Sequence, residues 1–503
     1  MTVINTNTAS INAQYNLNKV NKEMEAAMEQ LSSGKRINSA SDDAAGLAIA
    51  TRMESNIRGM NQAIRNASDT QSLIDTVEGA QDETMNLMQR MRELAVQAAN
   101  DTNSAADRQS LHDEVVQLRT EIDRIAATTT WAGLNLLDGT FAGKTFQIGA
   151  MGGETIAVSQ DAMTSAALGE FNFETTAFDI AASADSSTDN VATKFTVTGK
   201  DGSAEALFGT GATAKSAAAA VNADTGSTGV SAKAHTAIRV SFNSTGGDPV
   251  TQTSFSLNGG GTAVSISATV TDKDDLSSLL TAINSNSGTT KVTAEFDSGD
   301  KSKLILRQAE GDDIVMLDFD ANDGATPAVE NQLAVEVQSN YEGSSFTTGT
   351  TLISGGNNDT RLTGVVKMSS AKEFTVVEDL GVASTSFLGA TKSAAATLDK
   401  VSDVNISTRL GAQEALSVID MALEKIGSSR GELGAVSNRL DSTIANLSNI
   451  VIQTSSAKSR IEDADFAKAT GELTKSQIMS QAATAMLAQA NASKQGVLSL
   501  LQG

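Results

Sequence analysis

Two long stretches of the chain place apolar residues at alternating steps of three and four, the period of a helix with one buried stripe. Toward the C-terminus Ile419, Ile426, Leu433, Leu440 and Leu447 recur in strict steps of seven, with Leu416, Leu423, Ile444 and Val451 on the second seam position. That pattern predicts a coiled coil. Arg430 and Ser437 fall on the second position and favour a multi-helix bundle over a two-stranded zipper. Toward the N-terminus Met53, Ile57, Met60 and Ile64 lead into Ile74, Val77, Met88, Met91 and Ala95. A third stripe, Leu111, Val115, Leu118, Ile122 and Ile125, follows a capping Asn103-Ser104. None of these stripes hides itself, so each needs a partner helix, and the other end of the same chain is the first candidate.

The extreme ends carry narrower stripes: Leu17, Val20, Met24, Ala27 and Leu31 at one, and Met479, Ala483, Met486, Ala490, Val497 and Leu501 at the other. Built from Met and small residues, they are predicted to order only in an assembly, because isolated helices of this kind are marginal in water.

The period changes after Trp131. Thr145–Gly149 and Glu154–Val158, joined by Ala150-Met151-Gly152-Gly153, read as a hairpin. Farther on the chain repeats itself. Phe195-Thr196-Val197-Thr198-Gly199 returns as Phe255-Ser256-Leu257-Asn258-Gly259, and Val221-Asn222, Gly226 and Val230-Ser231-Ala232 return as Ile283-Asn284, Gly288 and Val292-Thr293-Ala294. Each copy reads hairpin, helix, turn, strand. The predicted fold is therefore multidomain: a long α-helical coiled-coil or bundle rod formed by both termini, with a β-rich α+β variable middle region. In residue terms, 1–44 is a terminal helix pairing with 460–503, and 45–165 is the first part of the rod with its hairpin. Residues 166–395 are the outer region with two α+β repeats at about 193–234 and 253–296, and 396–459 the returning part of the rod.

Composition sharpens this division. The chain has 503 residues, a net charge of −23, two His and no Cys. Most of the acidity, and 12 of the 15 Phe, lies between residues 166 and 400. Nucleic acid is excluded as a partner, since phosphate neutralisation needs clustered Lys and Arg. Without Cys there is no disulfide framework, thiolate metal site or cysteine nucleophile. His112 and His235 are too far apart in sequence for a His-Glu-x-x-His site, and no nucleophile-elbow sequence supports a Ser-His-Asp arrangement, so no enzyme, metal or cofactor is expected. Asp272, Asp274 and Asp275 lack the spacing and glycine of a calcium loop and read as a helix cap before Leu276. No 18-residue apolar run is present, so no membrane span is expected. The start, Met1–Thr8, has no basic stretch or apolar run, which predicts export by a door other than the general secretory route.

Both ends resemble bacterial flagellins. The likeness is carried by Leu31-Ser32-Ser33-Gly34-Lys35-Arg36-Ile37-Asn38-Ser39-Ala40-Ser41-Asp42-Asp43-Ala44-Ala45-Gly46-Leu47, by Met88–Gln97, and by Leu134-Asn135-Leu136-Leu137-Asp138-Gly139 with Phe146-Gln147-Ile148-Gly149. It continues at Asn438-Arg439-Leu440, Ser459-Arg460-Ile461-Glu462-Asp463-Ala464-Asp465-Phe466 and Gly496–Gln502. The resemblance implies that 1–44 and 460–503 are helices of a filament's inner tube, with Leu17, Val20, Met24, Leu31, Met479, Met486, Val497 and Leu501 as assembly residues. It implies an extracellular homopolymer serving swimming motility, exported unfolded through the flagellar type III system. Its partners would be an export chaperone, the export gate, the filament cap and the hook-junction proteins.

The same likeness puts Arg90, Leu94 and Glu114 where many flagellins engage the vertebrate flagellin-sensing Toll-like receptor. With Met91 and Ala95 on the seam, Arg90, Leu94 and Gln97 are predicted on another face, whose primary role is packing against the next subunit. Trp131 is predicted to anchor the junction of helix and hairpin through its large buried area. The competing readings are a hook-filament junction protein and, from a different class, a secreted enzyme or adhesin on the same frame.

Overall fold

The computed structural model describes residues 6–175, 179–181, 194–208, 212–244, 252–297, 300–321, 331–339, 341, 346–353, 358–379 and 393–502. Helices α1 (Thr8–Ser33), α2 (Ala44–Ala98) and α3 (Ala105–Thr128) come first, and α8 (Arg409–Glu462) and α9 (Phe466–Gln502) come last. Between them lie strands and the short helices α4 (Ala214–Ala223), α5 (Thr225–Thr228), α6 (Ser277–Ser285) and α7 (Ser287–Thr290). The predicted fold class stands: helical terminal regions and a middle of antiparallel sheets. The chain divides into two compact units, 1–76 with 142–159 and 432–503, and 77–141 with 160–431.

In the first unit α1 pairs with α9, the two ends that the sequence set against each other. The physical reason is local: each helix covers the other's narrow stripe. Gly34, at φ 71°, ends α1 in the left-handed conformation that glycine adopts without strain, its N–H donating to Gln30 O at 2.9 Å. The hairpin Lys144–Gln147 with Thr155–Val158 lies on α2. There Asn66 Nδ2 donates to Gln147 O at 3.0 Å, and Gly59 has no side chain to collide with Ala150.

In the second unit α2, α3 and α8 bury Val77, Met88, Met91, Leu94, Ala95, Val115, Ile122, Ile419 and Ile426. Arg430, which interrupts the heptad, reaches across to Asp82 at 2.9 Å and Glu78 at 3.2 Å. The α3 helix opens on a capping box, Ser104 with Asp107. Trp131 is only half-buried; Leu136, Leu137 and Phe141 fill the junction instead. It stands beside a two-residue turn, Ala132-Gly133, with φ of 50° and 82°.

The repeats fold as two like modules. The first runs Lys194–Thr198, Ser203–Leu207, α4, α5 and into the long strand Ser231–Ser244; the second runs Thr253–Asn258, Val264–Ala268, α6, α7 and Thr293–Asp297. One asparagine closes each. Asn222 accepts from Ala232 N at 2.7 Å and donates to Ala232 O at 2.8 Å, and Asn284 does the same to Ala294 at 2.8 and 2.9 Å. Phe195, Val197, Val221 and Val230 pack the first core, and Phe255, Leu257, Ile283 and Val292 the second. The main sheet runs Thr293–Asp297, Asp300–Gln308, Ser231–Ser244, Val365–Ser370, Gly169–Glu174, Thr397–Lys400, all antiparallel. In the second module Asp275 accepts from Ser277 N, the first N–H of α6, at 3.0 Å, but the N-cap position falls on Leu276, which makes no side-chain cap, so the expected acidic cap is displaced by one residue.

Candidate functional site

The α1 seam is Ser10, Ala13, Leu17, Val20, Met24, Ala27 and Leu31, spaced three and four and all buried or half-buried. Facing it, α9 turns Ala469, Leu473, Ser476, Ser480, Ala483 and Leu487 inward. Asn7 Nδ2 donates to Ala490 O at 3.2 Å, so the two helices run antiparallel, with Asn21 opposite Ser480. The predicted stripe on α9 needs correction: Met479 and Met486 are 49% and 65% exposed, beside Ile478 at 61%. Close packing of two narrow helices selects Ser and Ala, which let the backbones approach, and turns the larger Met side chains out. On α1 the outward apolar residues are Ile11, Tyr15 and Met28. The side chains of Val497 and Leu501 lie outside the described residues.

The links joining α1 to α2 and α8 to α9 are tied together. Arg36 N donates to Glu462 O at 2.7 Å and Ala464 N to Gly34 O at 2.9 Å, while Lys35 and Glu462 form an ion pair at 2.5 Å. Lys458 adds Glu54 at 2.5 Å, whose carboxyl is held down at about 2 by that lysine and by Arg58. Asp42 accepts from Asn38 N, Ser39 N and Ser39 Oγ, bonds to the charged form that lower its pKa, and Asp43 caps α2 through Gly46 N at 2.8 Å.

On α2, Arg90 bridges Glu114 of α3 at 2.9 Å and Glu93 at 3.0 Å, and Gln97 is exposed. Leu94 is not on that surface. It is 1% exposed, because α3 flanks α2 on one side through Arg90–Glu114 and α8 on the other through Arg92–Asp420 at 2.6 Å. The arc they bury is wide enough to take in Leu94 beside Met91 and Ala95. The apolar residue this region presents is Val96, 50% exposed, which periodicity alone would have flagged as off the seam.

The two ends pair through aromatic-poor helices and leave large apolar side chains exposed. Known families match in three places: the bacterial flagellin N-terminal helical region over residues 4–142, the bacterial flagellin C-terminal helical region over 416–501, and the flagellin hook IN motif over 254–310. A B-type flagellin of Pseudomonas aeruginosa is 38% identical over 502 residues, covering 99% of each chain. A flagellin of Salmonella rubislaw is 35% identical, and flagellin A of Vibrio cholerae 34%, again over 99% of both chains. The chain belongs to the bacterial flagellin family, the structural proteins of the flagellar filament, which are not enzymes. The hook IN match covers the second module; the first repeats it element for element. Among the described residues no helix is long and apolar enough to cross a membrane.

Proposed function

We propose that the chain self-assembles into a homopolymeric filament outside the cell, after export in an unfolded state through the flagellar type III route. The observation that carries this reading is the set of large apolar side chains that the paired terminal helices leave exposed, Tyr15 and Ile11 on α1 and Ile478, Met479 and Met486 on α9, on a chain of net charge −23. Apolar side chains so placed are covered when neighbouring copies pack. Helices 1–44 and 460–503 form the inner layer in this reading, 45–165 and 396–459 the wall, and 166–395 the outer surface. Capping, junction, chaperone and export-gate proteins are its partners, and the swimming filament is its site of action. Changing Met479 and Met486 together to Glu tests it. Seeded filament growth should stop while α1 and α9 stay paired, because neither residue lies in their seam. Unchanged growth would overturn the assignment of Met479 and Met486 to a contact between copies.

The exposed Arg90, Gln97 and Glu114 are the proposed contact for the vertebrate flagellin-sensing Toll-like receptor, with Val96 as the apolar contribution. The same face packs against a neighbouring subunit in the filament, so recognition belongs to the monomer.

A further inference from the structure

Residues 258–259 are the only Asn-Gly pair in the chain. In such a pair the backbone nitrogen of the glycine can attack the side-chain amide of the asparagine, because the glycine has no Cβ to obstruct the approach. Asn258 ends the strand Thr253–Asn258, and Gly259 begins the turn into Val264–Ala268 of the second module. The same corner of the first module reads Thr198-Gly199 and has no amide to attack.

The fold holds the two reacting groups apart. Asn258 is paired with Val315 in the ladder, whereas closing a ring through its side chain requires its backbone to rotate out of the extended strand conformation. The nucleophile is engaged as well: Gly259 N donates to the carbonyl oxygen of Thr290, the last residue of α7, at 3.0 Å. Gly259 is itself buried. Opening this corner of the module releases both groups at once.

We propose that Asn258 is a deamidation site that the folded second module keeps silent and that local opening of the module uncovers. Gly259 N bonds to Asn258 Cγ and the Cγ–Nδ2 bond breaks; Nδ2 leaves as ammonia, taking up the proton from Gly259 N. Water then opens the cyclic imide. Opening at Cγ leaves an aspartate, and opening at the backbone carbonyl leaves an isoaspartate whose main chain runs on through Cγ. The aspartate sets a carboxylate where Asn258 Oδ1 lies buried without a hydrogen-bond partner among the described residues, which costs the module stability. The isoaspartate lengthens the main chain by one carbon at a corner with no room for it. A Cβ on Gly259 would meet Val292 at 2.4 Å, and one on Gly261 would meet Thr289 O at 2.1 Å. A chain that has reacted to isoaspartate therefore does not close its second module again.

The full chain, incubated in mildly alkaline buffer with and without enough urea to unfold it, tests this by peptide mapping and mass spectrometry, which separate the amide, aspartyl and isoaspartyl forms. In urea Asn258 should convert ahead of every other asparagine. In native buffer it should convert more slowly by about tenfold or more, because only the opened fraction reacts. Asn284→Ala, which unclamps the second module, should raise the native rate several-fold, and Asn222→Ala, the same change in the first module, should not. After urea is removed, isoaspartyl chains should leave the strand Thr293–Asp297 open to hydrogen exchange while Lys194–Thr198 regains protection. The proposal is overturned if Asn258 converts as fast folded as unfolded, or if another asparagine outruns it in urea. It is equally overturned if Asn284→Ala keeps the parent rate, if Asn222→Ala matches its rise, or if isoaspartyl chains regain full protection.

Discussion

Gly229 and Lys291 occupy the same corner of two successive modules, each ending a four-residue helix in the left-handed conformation, at φ 70° and 65°. Glycine takes this conformation without strain, and an L side chain pays roughly 1–2 kcal/mol. Lys291→Gly should therefore stabilise the second module by about 1 kcal/mol. Gly229→Lys should cost about as much as the strain itself, since the atom its Cβ would meet, Asp201 Oδ2 at 2.9 Å, is the movable end of an exposed side chain. Hydrogen exchange of the strands Thr293–Asp297 and Ser231–Ser244 under mild urea reads each module by itself. An unchanged second module in Lys291→Gly would mean that a side-chain contact offsets the strain.

Leu94 and Val96 separate core from surface on one turn of α2. Leu94→Asp buries an unpaired charge among α2, α3 and α8 and should lower thermal stability by about 3 kcal/mol or more. Val96→Asp should leave the melt within about 0.5 kcal/mol, as surface changes do, yet reduce activation of the receptor in a reporter assay. Loss of receptor activation in a fully folded Leu94→Asp chain would contradict its burial.

Two buried groups give the second unit opposite responses to acid. Asp313, sealed beside Arg361 at 2.6 Å, is pushed by burial from 3.8 up to about 6. Its folded state holds a proton more tightly than its unfolded state, so it adds stability as pH falls from about 6 toward 3.8, up to about 3 kcal/mol. His235 is pushed from 6.5 down to about 4, so its contribution is complete above 6.5 and is lost through that window, by a similar amount. Asp313→Asn should turn a nearly flat profile between pH 4 and 6.5 into a loss of stability on acidification, and His235→Gln into a gain. Urea midpoints across this range check both. A parallel profile for the two variants would refute the assignment.

The heptad and the repeats were legible because both rest on large apolar side chains at fixed spacing: Ile419, Ile426, Leu433 and Leu440 are buried, and Asn222 and Asn284 clamp equivalent strands. The α9 seam was legible only in part: Ala483 stood on the predicted stripe, but Ser476 and Ser480 carry no hydropathy signal and the neighbouring Met residues do. Leu94 was misjudged because one stripe was assumed where two helices flank α2.

The central claim is that the paired ends drive assembly and the middle decorates it. Seeded growth of the heat-depolymerised full chain, followed by electron microscopy, tests it most directly when run beside chains lacking residues 171–395, 1–40 or 465–503. Long filaments are predicted from the full chain and from the chain without its middle, and none from either chain lacking a terminal helix. A folded full chain that does not extend seeds, or a chain without a terminal helix that does, would contradict the account.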